Sequence, residues 1–147
     1  MKKIIAIIVA FVVVIGGVIG IGIAKKSADK SSTTIKIGGV FDTSGAAAAY
    51  GQAEQKGADF AVKRINAAGG VKVNGKTYKM QMVNKDSKSD NTESASVTTN
   101  LISNNKVNAI VGPVTTSAVQ AAVPAATKGK TPMMSPTAGA DNITVQK

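Results

Sequence analysis

A chain of 147 residues with a formal net charge of +10 leaves room for one ordinary domain once a leader is subtracted. It has neither cysteine nor histidine, which removes soft metal sites, thiol chemistry and Ser-His-Asp triads. No Lys/Arg cluster is interleaved with aromatics, so the charge reads as association with an anionic cell surface and not as nucleic-acid binding.

Lys2 and Lys3 precede an apolar run from Ile4 to Ala24, and a polar tether follows from Lys25 to Thr33. At 21 residues the run exceeds the ~7–15 of a cleaved signal core and matches the ~20 that span a bilayer as a helix. Residues 1–24 therefore read as a signal peptide or signal anchor, and the chain as exported: extracytoplasmic, cell-surface or secreted. Both fates of the leader stay open. Gly22 and Ala24 form a small-x-small pair suited to cleavage after Ala24, and retention would hold the chain to the membrane through its N-terminal helix.

Beyond the tether, strand and helix patterns alternate. Thr34–Phe41 reads as a strand carrying Ile35, Ile37 and Val40, and it ends in a small-residue loop. A helix from about Tyr50 to Ala68 repeats Ala53, Gly57, Ala58, Ala61, Val62 and Ile65 at helical spacing, while Glu54, Lys56, Asp59, Lys63 and Arg64 fall outside that set. The apolar set predicts one face packed on a sheet, with Gly57 allowing close helix-to-strand approach. Gly69 and Gly70 end the helix.

Val71 to Tyr78 reads as a hairpin turning at Asn74-Gly75, and Tyr78–Asn84 as the second main strand. Asp90 with Glu93 starts a helix reaching about Asn104, with Val97, Thr98, Leu101 and Ile102 inward. Val107–Val111 reads as the third main strand, Thr115–Thr127 as a helix that Pro124 should kink or end, and Thr131–Met134 as a short fourth strand. This βαβαβαβ alternation predicts a partial doubly wound parallel α/β sheet.

Gly70 to Thr77 matches GxxxxGK[ST] letter for letter. Phosphate binding needs that loop to leave a strand and open a helix; here a helix precedes it and a strand follows, so the hairpin is the better reading. No G-x-G-x-x-G follows the first strand, and no cofactor is expected. Asp42, Asp86 and Asp90 lie just after strands, where loop and helix capping account for them without catalysis. Three strand-end loops remain: Asp42 to Tyr50, Gly112 to Ser117, and Ser135 to Gly139. All should lie at one edge of a parallel sheet, rich in hydroxyls and exposed backbone, as a site for a small ligand bearing a carboxylate or amide.

The segments IKIGGVFDTSG, AAYGQAEQKGADFAVKRINAAGGV, NAIVGPVTTSAVQAAVP and PMMSPTAGADNIT resemble the leucine/isoleucine/valine-binding proteins, periplasmic-binding-protein type I receptors of ABC importers, over about residues 34–145. The resemblance implies a non-enzymatic receptor that captures a small amino acid and delivers it to ABC permease subunits. It places Thr116 at a hydroxyl that binds the ligand's α-carboxylate, Thr137 and Ala138 at backbone contacts to carboxylate and ammonium, and Tyr50 at an aromatic wall. Gly139 stands where many members have threonine, so a backbone N–H remains and a hydroxyl is lost. Family members run to roughly twice this length or more, so residues 34–147 read as an incomplete N-terminal lobe, without the second lobe needed for hinge closure. A membrane-anchored ligand-sensing receptor ectodomain of the same fold is the alternative.

Overall fold

The structure is a computed structural model, and it describes residues 33–141 and 143. Among these residues no helix is long and apolar enough to cross a membrane. The apolar run Ile4–Ala24 lies outside them.

Eight elements follow the tether: β1 (Thr34–Phe41), α1 (Ala48–Ala67), β2 (Val71–Val73), β3 (Lys76–Asp86), α2 (Asn91–Ser103), β4 (Ala109–Val111), α3 (Thr116–Lys128) and β5 (Met133–Met134). The sheet order is β2-β3-β1-β4-β5. β1 runs parallel to β3 from Thr34↔Lys79 to Phe41↔Asp86 and parallel to β4 from Ile37↔Ala109, while β4 runs parallel to β5. Among the described residues only the β2–β3 hairpin is antiparallel, turning at Asn74 and Gly75, both at positive φ. A primed turn of this kind matches strand twist and favours Asn-Gly. The GxxxxGKT letters therefore form a hairpin, with no helix behind them to hold a phosphate.

Strand alternation sends successive side chains to opposite faces. Val40 meets Val97, Leu101, Val107 and Ile110 in the main core, with Val83 and Ile102 packed against it. Leu101 is fully buried, worth roughly 1.5–3 kcal/mol for a leucine side chain. On the other face, Ile37, Met80 and Met82 look toward α1. α1 begins closely packed, because Gly51 is buried and a Cβ there would sit 2.3 Å from the Asp42 carbonyl oxygen. Farther along, Ala58, Val62 and Ile65 line an open apolar groove of about 590 Å³ facing Met80, Met82, Met133 and Met134. The apolar stripe is thus only partly covered. Gly57 does not mediate close approach as expected: it is exposed, and nothing lies within 4 Å of a Cβ built on it. Gly51, one and a half turns earlier, fills that role.

Asn66 joins the far end of α1 to the sheet. Its Nδ2 donates to the Met80 carbonyl and its Oδ1 accepts the Met80 N–H, each at 2.8 Å, pairing with main chain as a neighbouring strand would. Asp90 caps α2 by accepting the Glu93 N–H at 2.7 Å, as its spacing predicts. β4 is shorter than the apolar run Val107–Val111: Val107 N–H closes the end of α2 onto Leu101, and Asn108 bonds the Lys36 backbone from both sides. Pro124 does not end α3, which continues to Lys128. Pro124 and Gln120, whose carbonyl loses its partner, are both exposed to water.

Candidate ligand-binding edge

The parallel ladder brings the three hydroxyl-rich loops to one edge, at the carboxyl ends of β1, β4 and β5. In open α/β sheets this edge is where ligands bind. Gly112 sets the second loop against the first strand: its φ is +97°, and a Cβ would lie 2.1 Å from the Val40 carbonyl oxygen. Side-chain hydroxyls then stitch the second and third loops together. Ser135 Oγ donates to the Pro113 carbonyl at 2.6 Å and accepts the Ala138 N–H at 3.1 Å, and Thr137 Oγ1 donates to the Val114 carbonyl at 2.7 Å.

The first loop is held by the loop after β3. Asp86 Oδ1 accepts the N–H groups of Thr43, Ser44 and Lys88, and its Oδ2 accepts the Ser44 hydroxyl at 2.6 Å. Ser89 Oγ donates to the Ser44 carbonyl and accepts the Ala47 N–H. Desolvation works against ionising Asp86, but the hydrogen bonds from Ser44, Lys88 and Thr43 outweigh it and lower the pKa to about 2. Beneath them Asp42, fully buried, accepts the Ser87 hydroxyl.

The sequence-predicted residues fall as follows. Thr116 opens α3, half-buried, and its hydroxyl has no hydrogen-bond partner among the described residues. Thr115 caps that helix by accepting the Ala118 N–H at 3.3 Å, which leaves the Thr116 and Ser117 N–H groups directed outward with the positive end of the helix dipole. Thr137, Ala138 and Gly139 stand together on the third loop. There the Ala138 N–H and the Thr137 hydroxyl are engaged within the chain, while the Gly139 N–H has no partner among the described residues. Tyr50, in the first turn of α1, is 68% exposed. The edge thus offers neutral donors and an open aromatic ring, a set that can receive a carboxylate and an adjoining apolar group.

Residues 34–146 match the family model described as Periplasmic binding protein. The chain belongs to that family. Solved structures agree with it in fold. LivJ, the branched-chain amino acid transporter substrate-binding protein of Streptococcus pneumoniae in complex with isoleucine, is 54% identical, with a TM-score of 0.70 over 75% of this chain and 30% of its own. A solute-binding protein of an ABC transporter from Rhodopseudomonas palustris BisB5, in complex with 3,4-dihydroxybenzoic acid, is 33% identical with a TM-score of 0.63, covering 76% of this chain and 29% of that one. A putative branched-chain amino acid ABC transporter from Rhodospirillum rubrum is 27% identical, with a TM-score of 0.66 and coverages of 75% and 31%. The chain therefore spans about 30% of the length of these relatives.

Within this periplasmic binding protein chain, two features of the edge escaped the sequence reading. Glu54 falls outside the apolar set of α1 by residue type, yet it lines the groove, bonds the Thr137 hydroxyl and has its second carboxylate oxygen buried with no partner among the described residues. Its spacing to Gly57, Ala58 and Ala61 puts it on their face, and a carboxylate on such a stripe is a signal for a partner hydroxyl. The Asp86 cluster does more than cap its own loop: it joins two loops more than forty residues apart. A run of hydroxyls and carboxylates such as Asp86 to Asp90 identifies a capping segment but not the distant segment it captures.

Proposed function

We propose that residues 34–147 are an incomplete N-terminal lobe of the extracytoplasmic substrate-binding component of an ABC importer for branched-chain or related small amino acids. The observation that carries this reading is the 54% identity to LivJ, solved with isoleucine, over 75% of this chain, beside a family match over residues 34–146, which hold all three strand-end loops. The chemistry of the edge supports it. The free Thr116 hydroxyl, the outward N–H groups of Thr116 and Ser117 and the Gly139 N–H would receive the α-carboxylate, Thr137 and Ala138 would offer backbone groups to carboxylate and ammonium, and Tyr50 would wall the aliphatic side chain. Neutral donors at a helix N-terminus suit an anion. ABC permease subunits would be the partner, and residues 1–24 would export the chain and either be removed or hold it at the membrane.

The relative solved with 3,4-dihydroxybenzoic acid supports a second reading, a small aromatic acid in the same place. Both ligands carry a carboxylate, so Thr116 keeps its role, while the ammonium contacts of Thr137 and Ala138 and the wall around Tyr50 discriminate.

Amide NMR titration with isoleucine, leucine, valine and 3,4-dihydroxybenzoate separates the readings. The expected result is weak, millimolar-range binding with shifts confined to Tyr50, Thr116, Ser117, Thr137, Ala138 and Gly139. Weakness follows because the loops of residues 34–147 form one open sheet edge and not an enclosed pocket. No perturbation at this edge by any of the four acids would discard the assignment.

A further inference from the structure

The parallel ladder gives the molecule two chemically different ends. Helices that cross between parallel strands run antiparallel to them. The C-terminal ends of α1, α2 and α3 therefore lie with the N-terminal ends of the strands, opposite the strand-end loops. This far end is basic. Arg64 closes α1, Lys72 and Lys76 lie on the β2–β3 hairpin, Lys106 follows α2, and Lys128 and Lys130 stand at the end of α3, all exposed.

None of the described carboxylates stands among them. Asp42, Asp86, Asp90 and Glu93 belong to the strand-end edge, Asp141 follows β5, and Glu54 and Asp59 lie in the early and middle turns of α1. The ion pair found among the described residues, Lys88 with Glu93 at 3.5 Å, is also at the strand-end edge.

Helix dipoles account for part of this pattern, since Arg64 and Lys128 sit in last turns where cations are favoured. They do not account for Lys72 and Lys76, which lie on strands. Nor do they account for Lys106 and Lys130, whose φ values of 55° and 50° fall in the left-handed region that usually selects glycine or asparagine after a helix.

We propose that this end of the sheet is a docking face for an anionic lipid bilayer. The cations are spread over a hairpin and three helix ends and are not gathered in a groove, which suits a charged plane. A nucleic acid would call for aromatic platforms beside the cations, and the exposed aromatic near them among the described residues is Phe60, beneath the Arg64 guanidinium at 5.9 Å. The chain also enters β1 at this end, through Thr33, directly after Lys25, Lys26 and Lys30 of the tether and the apolar run Ile4–Ala24. Attraction between such a face and anionic headgroups acts within a Debye length, about 8–10 Å, and is lost at high salt. Docking in this sense turns the strand-end loops away from the bilayer. The inference stands on charge placement and does not require the ligand assignment.

The test reconstitutes the full chain in vesicles of phosphatidylcholine, with or without phosphatidylglycerol, and maps lysine acylation by mass spectrometry. The leader is present in both preparations, and because Lys25, Lys26 and Lys30 of the tether also meet the anionic lipid, substitutions on the globular part isolate its share. Lys72, Lys76, Lys106, Lys128 and Lys130 are expected to label about threefold or more slowly on the anionic vesicles, with recovery at high salt, while Lys56, Lys85 and Lys88 are unchanged. The combined variant Lys72→Glu, Lys76→Glu and Lys130→Glu should abolish that difference and keep the wild-type thermal melt. Equal labelling on the two vesicle types, or protection spread evenly over both ends, would overturn the proposal. Equal protection by soluble polyphosphate without vesicles would also overturn it, since that assigns the face to polyanions at large.

Discussion

The hydroxyl of Ser44 lies 2.6 Å from Asp86 Oδ2, and this contact ties the loop leading to Tyr50 to the end of a strand forty-two residues away. Because the same carboxylate also accepts three backbone N–H groups, it sets the course of the chain between Phe41 and α1. Asp86 is a positioning residue for the edge, and it does not need to touch a ligand.

Its ionisation makes that positioning pH-dependent. The folded pKa, about 2, is below the ordinary 3.8, so the folded state favours the charged form. The contribution is complete above the ordinary value and is lost as pH falls from about 4 toward 2. After discounting for solvent screening of a half-exposed group, it amounts to about 1 kcal/mol. Amide exchange of Thr43, Ser44 and Lys88 should accelerate in that window relative to core amides such as Leu101. Asp86→Asn should remove the excess acceleration; an unchanged profile in the variant would assign it to other carboxylates.

Gly112→Ala should be among the most damaging single-methyl substitutions in the chain. It combines a φ of +97° with a Cβ position 2.1 Å from a backbone oxygen, and backbone cannot yield as a side-chain tip can. A loss of about 3 kcal/mol or more in urea unfolding is expected. By contrast, Gly57→Ala, in open space on a helix, should stabilise by about 0.5–1 kcal/mol.

Asn66→Ala should lower stability by about 1–3 kcal/mol, because it leaves both the N–H and the carbonyl of half-buried Met80 without partners. Asn66→Asp keeps the acceptor and loses the donor, so its urea midpoint should fall between wild type and alanine.

The apolar groove between α1 and the sheet should bind an environment-sensitive hydrophobic dye in the native state, as contiguous exposed apolar surface does. Met134→Lys, at a position 62% exposed, should reduce dye fluorescence severalfold and shift stability by less than about 0.5 kcal/mol. Dye binding that survives this change and vanishes only on unfolding would place the exposed surface elsewhere.

Local features of the fold were readable from the chain. Ile35, Ile37 and Val40 marked β1, Asn74-Gly75 fixed the hairpin, and Asp90 with Glu93 began α2 at the observed residue, because each signal lies within a few positions of its effect. What was misjudged depends on partners distant in sequence. Gly57 and Gly51 are alike as letters, and only the approach of Asp42 to Gly51 tells them apart. Val107 and Asn108 have strand character, but contacts to Leu101 and Lys36 claim them before β4 begins. For the edge, alternation of strands and helices was enough to gather the three loops. It gave no sign that the Ala138 N–H and the Thr137 hydroxyl would be engaged inside the protein, leaving Thr116 and Gly139 with the open donors.

The uneven distribution of lysine and arginine has a practical side. A cation-exchange matrix or a negatively charged sensor chip would grip the molecule by Lys72, Lys76 and Lys130, leaving Tyr50 and Thr116 facing the flowing liquid. Immobilisation by charge should therefore preserve access to the strand-end loops, whereas random amine coupling would also consume Lys56, Lys85 and Lys88 and turn part of the population the wrong way round.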